Sequence, residues 1–342
     1  MREQGISVVV CCYNSAERIR ATPKHLFVQK TNARLSWEVI VVDNNSTDNT
    51  RNVAEKCHAE SGSAIPFEIV DEPRPGLSNA REKGFAVAKF NIVLMVDDDN
   101  LLTDTYLNGV WDGFNADDGI GMIGGKGIPV LEKDAPAWFG QYAYCYATGD
   151  QGNSADETEA DMLYGAGLAL RMDILDKLKK AGFRSILSDR TGTNLMSGGD
   201  TELCLAFRMA GYRLVHDPKL TFKHHLPSSR ITWKYLRKLF LGFGMTKAGL
   251  DMYTTALADR PMPEDTRFPF WFNRASYLLI TCLKKDTSLL LLSLFFNLEG
   301  NRELLPALAR WGHIKAIIGM RKNYLKCYSN VYGLKRKMKV GE

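Results

Sequence analysis

No stretch of this 342-residue chain reaches the ~18 to 20 apolar residues that a membrane-spanning helix requires. The closest is Ser288 to Phe296, flanked by Asp286 and Glu299, and it is too short. Cys-x-x-Cys pairs are also missing, and the seven cysteines are odd in number, several of them (Cys11, Cys12, Cys204, Cys282) in apolar contexts. That usage fits reduced core thiols in a cytoplasmic protein rather than a disulfide framework. A signal peptide is not expected, because the strand-like run Ile6-Ser7-Val8-Val9-Val10 begins almost at once. The sequence has no zinc-finger spacing, no RNP motif and no other nucleic-acid module, so nucleic acid is not expected as a partner. Internal repeats and low-complexity stretches are absent.

What is present is an ordinary globular composition, 45% hydrophobic and 24% charged, enough for a sizeable core in one large domain or two smaller ones. The net charge of +5 is unevenly placed. From Asn301 onward ten Lys/Arg face only Glu303 and Glu342, so this tail carries +8 and the rest of the chain −3. A basic tail favours an anionic partner such as a phospholipid surface; a plain solvated helical face is the competing reading.

The first half alternates strand-like and helical stretches. Ile6–Val10, Trp37–Val42, Phe67–Val70, Ile92–Val96 and Gly121–Ile123 read as strands, with helices from Ala16 to about Gln29, Thr47 to about Glu60 and Leu77 to about Ala88. This order predicts an α/β fold, a mostly parallel sheet with helices on both faces. Right-handed crossovers would bring the strand C-termini to one edge, where open α/β sheets bind ligands. Tyr13-Asn14, Asp43 to Ser46, Asp71-Glu72 and Asp97 to Asn100 would converge there. Pro129 to about Glu159 reads as an irregular loop rich in aromatics, Tyr164 to Met172 as a strand, and Asp200 to Gly211 as a helix. Beyond Thr232 the pattern is helical, with Trp233, Leu236, Phe240 and Phe243 as one stripe and Leu304, Leu308, Trp311 and Ile318 as another.

Several segments carry chemistry. Asp97-Asp98-Asp99-Asn100 closes an apolar strand, and three unpaired carboxylates there would repel one another at a cost of several kcal/mol. A hard cation such as Mg²⁺ or Mn²⁺ removes that cost, although solvated acidic loops also occur at strand ends. Asp43 ends a second strand and is placed to accept from a nucleobase or ribose, with Ser46 or Thr47 capping the next helix. Arg81 sits early in the helix that follows Pro73-Arg74-Pro75-Gly76, where a guanidinium can pair with a phosphate. In Ser197-Gly198-Gly199-Asp200-Thr201-Glu202 a helix N-terminus would hold Asp200 ionised as a general base, with Glu202 as its rival. His224 and His225 adjoin a strand, so one of them at most should reach a metal. Gly165-Ala166-Gly167 would leave room for a sugar ring, and Trp138 could stack on one or pack internally.

Together these motifs, in this order, resemble the family 2 glycosyltransferases of the GT-A fold, over roughly residues 5 to 230. The resemblance implies a nucleotide-sugar donor, a divalent metal (Mn²⁺ or Mg²⁺) and inversion at the anomeric carbon. Position by position, it puts Tyr13, Asn14, Asp43, Arg81, Asp97, Asp98 and Gly165 beside the donor, with Asp43 at the base and Arg81 near the phosphates. Asp97 and Asp99 would be the acids of an Asp-x-Asp motif, Asp99 nearest the metal, and His224 would resemble a late metal-binding His. Asp200 matches the catalytic acid of a Glu-Asp motif, except that Gly199 stands where the family often has Glu. Trp138 and Glu202 would fall on the acceptor side.

The organisation expected is a GT-A catalytic domain at 1–230, with a nucleotide-sugar half to about 125 and an acceptor half from 126, followed by a basic helical region at 231–342. The activity expected is transfer from a UDP-sugar to a hydroxyl of a glycan or a polyprenyl-linked acceptor, as in surface polysaccharide assembly. The chain would be cytoplasmic or peripheral on the inner face of the cell membrane, against an anionic surface. A sugar-nucleotide nucleotidyltransferase is a rival, but those carry a Gly-rich basic loop after the first strand, and Cys11-Cys12-Tyr13-Asn14-Ser15 is not one. The other rival is a nucleotide-sugar or lipid-binding protein without turnover.

Overall fold

The computed structural model describes residues 2–152, 159–187 and 197–340. By their contacts these fall into two compact units. The first holds residues 1–132, 142–177 and 211–226; the second holds 133–141, 178–210 and 227–342.

The first unit is built on one eight-stranded sheet. Its strands are β1 (Glu3–Cys12), β2 (Trp37–Asp43), β3 (Phe67–Asp71), β4 (Phe90–Asp97), β5 (Asn100–Leu102), β6 (Ile120–Leu131), β7 (Leu168–Arg171) and β8 (Arg213–Leu226), in the spatial order β3-β2-β1-β4-β7-β6-β8-β5. The half formed by β3, β2, β1 and β4 is parallel throughout. The other half is mixed, because β7 runs antiparallel to both β4 and β6 while β6 and β8 are parallel. The central strands carry continuous Val/Ile/Leu runs because both faces are covered: Val8, Val10, Val41, Val93 and Leu94 are at most 0% exposed. Strand order reverses at β1, with β2 on one side and β4 on the other, so the crevice for a ligand opens between the ends of β1 and β4. The register levels those ends. Cys12 lies opposite Asp43, Asp43 opposite Asp71, and Cys11 opposite Asp97.

Helices α1 (Ala21–Leu26), α2 (Thr50–Ser61), α3 (Leu77–Val87) and α4 (Tyr106–Ala116) connect the strands. The third matches expectation; the first two start later. Pro23 has no N–H to give a preceding carbonyl, so it fits only the first turn, and residues 16–20 form turns instead. Neither Ser46 nor Thr47 caps α2, since the Ser46 hydroxyl accepts from the Asn14 N–H and Asp48 accepts from the Thr50 N–H.

The expected strand at Tyr164–Met172 is shorter than its apolar run. Gly165-Ala166-Gly167 is a turn, and only Leu168–Arg171 pairs as β7. Gly167 has φ +68°, and the Tyr106 hydroxyl donates to its carbonyl at 2.7 Å. A Cβ there would lie 2.6 Å from the Tyr106 oxygen and 3.1 Å from the Phe222 ring. The small residues thus serve a left-handed turn under a buried tyrosine, and the room expected for a sugar ring is filled by protein at Gly167.

The second unit is helical: α5 (Phe139–Tyr142) and α6 (Met172–Ala181) lie partly in it, followed by α7 (Gly199–Met209), α8 (Trp233–Leu257), α9 (Phe270–Lys285), α10 (Thr287–Phe295), α11 (Leu304–Met320) and α12 (Tyr324–Val340). Thr232 caps α8 by accepting from the Tyr235 N–H. α8 and α11 approach backbone to backbone through glycines, since a Cβ at Gly244 would meet the Ala309 carbonyl oxygen at 1.9 Å and one at Gly312 the Leu241 carbonyl oxygen at 2.2 Å. Among the described residues, no helix is long and apolar enough to cross a membrane.

Candidate active site

The sheet edge is built by loops that side-chain amides and carboxylates tie to one another. Asn14, with φ +47°, accepts from the Thr47 N–H at 2.8 Å, joining the β1 and β2 loops. Asn44 is buried and donates to the carbonyls of Glu72 (3.0 Å) and Arg74 (2.7 Å) while accepting from the Gly76 N–H (2.8 Å). One asparagine therefore fixes the turn that starts α3 and, with it, the placement of Arg81. Glu72 accepts from the Arg74 backbone and guanidinium, which hold its carboxyl at about 2, far below the usual range.

Around this frame stand the residues singled out above. Asp43 is 9% exposed and accepts from the Ser46 N–H at 3.0 Å. Tyr13 is 49% exposed at the mouth of β1. Arg81 is buried on α3, and its charge reaches Cys11, as do those of Asp97 and Asp98. Burial pushes that thiol up to about 12, which keeps it protonated and unreactive. The structure thus brings Arg81 and the first two carboxylates of the triple-Asp run to the end of β1.

The three consecutive aspartates are not equivalent. Asp98 accepts from the Ser15 hydroxyl and from Arg18 Nε (3.2 Å) and Nη2 (2.8 Å), and its carbonyl accepts from Thr22 (3.0 Å). Burial and the adjacent Asp99 push its carboxyl up, against the pull of Arg18. These bonds anchor the loop to the turn after β1. Sequence reasoning grouped Asp98 with the donor ligands and missed Ser15 and Arg18, because partners 80 or more residues apart leave no local signal.

Asp99 meets His224. The short β5 pairs antiparallel with β8 and sets Asn100 opposite His224, so Asp99 falls beside the imidazole. His224 Nε2 lies 3.4 Å from Asp99 Oδ1, both side chains under 10% exposed, while His225 points outward as strand alternation requires. The buried Nδ1 of His224 has no hydrogen-bond partner among the described residues. Asn100 donates to Asp99 Oδ1 at 3.2 Å, and its own Oδ1 accepts from the Asp97 N–H at 3.1 Å. Two ligand atoms on one octahedral cation lie about 3 Å apart, so the Asp99–His224 separation suits adjacent ligands. A carboxylate with an imidazole is the donor set of a borderline divalent ion. No group of three or more His, Cys, Asp or Glu is assembled for a metal among the described residues. Further ligands would be water or substrate oxygens, the usual arrangement for Mg²⁺.

Asp200, Glu202 and Trp138, also singled out from the sequence, belong to the second unit. Asp200 occupies the first turn of α7 and accepts from the Thr201 N–H at 2.8 Å. Glu202, one turn position on, is 0% exposed. It accepts from the Ser185 hydroxyl (2.5 Å), the Ile186 and Leu187 N–H groups (2.8 and 3.2 Å) and the Tyr253 hydroxyl (2.8 Å). A carboxylate has about four lone-pair sites, and these four neighbours surround them, the single Ser185 proton being shared with the Leu187 carbonyl at 2.8 Å. Glu202 therefore clamps backbone and has no free site for an acceptor hydroxyl. Trp138 is 8% exposed, donates to Glu299 at 2.9 Å and packs edge-on against Trp233 at 5.6 Å. Its contacts are those of core packing rather than of a sugar platform.

The model of glycosyl transferase family 2 matches residues 7–178, half of the chain. The cholesterol galactosyltransferase of Borreliella burgdorferi is 32% identical over 112 residues, 33% of this chain and only 30% of that protein's length. The glucosyl-dolichyl phosphate glucuronosyltransferase of Haloferax volcanii is 23% identical over 261 residues, 75% of this chain and 80% of its own. Among solved structures, a mannosyltransferase of Pyrobaculum calidifontis superposes with TM-score 0.53 at 18% identity, over 99% of this chain and 88% of that one, which supports the GT-A fold. The chain belongs to glycosyl transferase family 2.

Proposed function

We propose that this chain is a metal-dependent, inverting enzyme that moves a sugar from a nucleoside-diphosphate donor, a UDP-sugar first, to a hydroxyl of a glycan or lipid-linked acceptor. The observation that carries the reading is the buried Asp99–His224 pair at the mouth of β4 and β8, at 3.4 Å. Mn²⁺ or Mg²⁺ held there would supply Lewis-acid stabilisation of the departing diphosphate. In this reading Asp43 accepts from the base, Arg81 faces the phosphates, and Tyr13, Asn14, Asp97 and Gly165 shape the donor edge. Asp98 contributes by holding the Asp97–Asn100 loop through Ser15 and Arg18.

Asp200 takes the proton from the acceptor hydroxyl as that oxygen attacks the anomeric carbon from the face opposite the leaving group. Its support is the motif and its seat in the first turn of α7. The mannosyltransferase of similar fold is described in complex with GDP-Man and Mn²⁺, so GDP belongs beside UDP in any test. A lipid-linked acceptor is supported by the aligned archaeal relative, named for a dolichyl phosphate substrate, and would place the enzyme against an anionic membrane.

Calorimetric titration of UDP and GDP in Mn²⁺ and in EDTA, on the wild type and Asp99→Ala, tests the donor site. One nucleotide should bind only with metal, and Asp99→Ala should weaken it about a hundredfold, the scale of losing one of two protein ligands. Binding of neither nucleotide to folded wild type would sink the reading.

A further inference from the structure

The second unit exposes an apolar surface that the site chemistry does not use. On α9, Tyr277, Ile280 and Leu283 are 65, 52 and 61% exposed at helical spacing, while Ala275 and Cys282 face inward. On α10, Leu291, Leu294 and Phe295 are 54, 73 and 80% exposed. Two consecutive helices thus turn their apolar stripes away from the protein, the reverse of a globular helix. Exposed acids flank the pair at Glu264, Asp265 and Glu299, whereas the α9–α10 junction itself is basic. From residue 267 to 298 the cations are Arg267, Arg274, Lys284 and Lys285, and the sole acid is Asp286. Asp286 is 3% exposed and forked to Arg310 of α11 at 2.6 and 2.5 Å, so it neutralises nothing at the surface and ties the α9–α10 junction to the helix beneath.

We propose that α9 and α10 are a monotopic membrane-binding helix pair that enters the headgroup and upper acyl region of a bilayer carrying anionic phospholipid. It deepens the reading of a lipid-linked acceptor by naming the element that meets the lipid. At 1.5 Å per residue, the nine residues of α10 extend about 14 Å, roughly half of a ~30 Å hydrocarbon core. The pair lies in the interface and does not span. Lys284 and Lys285, exposed where α9 hands over to α10, sit at headgroup level beside the buried stripe. A second copy of the chain fits this surface less well, because an isologous contact centred on the junction would set Lys284 and Lys285 against their own equivalents. Interface cores are also depleted of lysine.

The test is co-sedimentation with vesicles of 70% phosphatidylcholine and 30% phosphatidylglycerol, and of phosphatidylcholine alone, at 0.1 M and 0.5 M NaCl. The wild type should pellet with the anionic vesicles. Because Leu294 and Phe295 make few contacts with the fold, Leu294→Glu with Phe295→Glu should stay folded and lower the partition coefficient roughly tenfold or more. Lys284→Ser with Lys285→Ser should lower it roughly fivefold or more on anionic vesicles only. A wild type that stays in the supernatant overturns the proposal, as does an apolar double variant that binds like wild type. A wild-type dimer in light scattering that the same variant splits, without vesicle binding, overturns it in favour of a second copy. Nucleotide titration on the apolar variant separates the two readings. If neither wild type nor variant binds nucleotide while vesicles still discriminate between them, the donor site fails and the membrane-binding helix pair stands.

Discussion

Replacing Glu202 by glutamine changes one atom, and the structure says why that change should be costly. Each carboxyl oxygen faces one hydroxyl and one backbone N–H: Oε2 has Ser185 and Leu187, and Oε1 has Tyr253 and Ile186. A hydroxyl can turn and accept from an amide NH₂, whereas a backbone N–H cannot. Whichever way the glutamine is turned, its nitrogen, which has no lone pair to offer, confronts one N–H in a site that is 0% exposed. Protonation of the native carboxyl, which burial favours, does not create this conflict, because a protonated oxygen still accepts. One orphaned buried N–H costs about 1–3 kcal/mol, and weaker bonds to a neutral acceptor add to it, for a total of about 2–4 kcal/mol. Tyr253→Phe, which removes one donor and leaves the remaining bonds intact, should cost about 1 kcal/mol. Urea unfolding followed by tryptophan fluorescence and by far-ultraviolet circular dichroism measures each. A Glu202→Gln protein within about 0.5 kcal/mol of wild type would refute the claim that Glu202 is a fully engaged clamp and would restore it as a rival base.

Two other expectations can be checked directly. Gly167→Ala sets a Cβ at φ +68° and 2.6 Å from the Tyr106 oxygen, so thermal unfolding should show a loss of about 2–4 kcal/mol, whereas Gly140→Ala, where a Cβ meets nothing within 4 Å, should be near neutral. His313 is 3% exposed, and burial lowers its imidazole to about 4, with Asp251 opposing and Arg274 and Lys247 adding to the shift. The unfolded chain therefore takes up this proton first as pH falls. Stability should drop between about pH 6.5 and 4, with a slope of up to about 1.4 kcal/mol per unit from this group, and level off below. His313→Gln should flatten that limb in pH-dependent urea titrations, and an unchanged limb would assign it to other groups.

Much of the sheet edge was legible because strand composition and period carry it. Buried parallel strands need continuous apolar runs, and β2, β3 and β4 each end in an aspartate, level with one another and with the end of β1. Strand alternation likewise separates His224 from His225, and the structure buries the first and exposes the second. The division of labour among Asp97, Asp98 and Asp99 was not legible. It depends on Arg18 and Ser15 reaching one carboxylate while β8 delivers His224 to another, and both are tertiary events. Element boundaries failed where a local competitor decided, as with Pro23 at α1 and the Asp48 side chain at α2.

The C-terminal helices show a different limit. A period of 3.6 reports that one face is apolar, and it says nothing about what that face touches. Trp233 and Leu236, on the first stripe read from sequence, are 2% and 0% exposed, while Trp311 and Ile318 on the second are 41% and 43% exposed. The basic tail drew attention to residues after 301, yet the largest apolar exposure lies before it, on α9 and α10, where few charges mark it. Charge composition locates long-range attraction to an anionic surface, and apolar exposure locates insertion into it. In this chain the two lie on successive stretches, so their contributions can be separated: raising salt should weaken the first, and replacing Leu294 and Phe295 should remove the second.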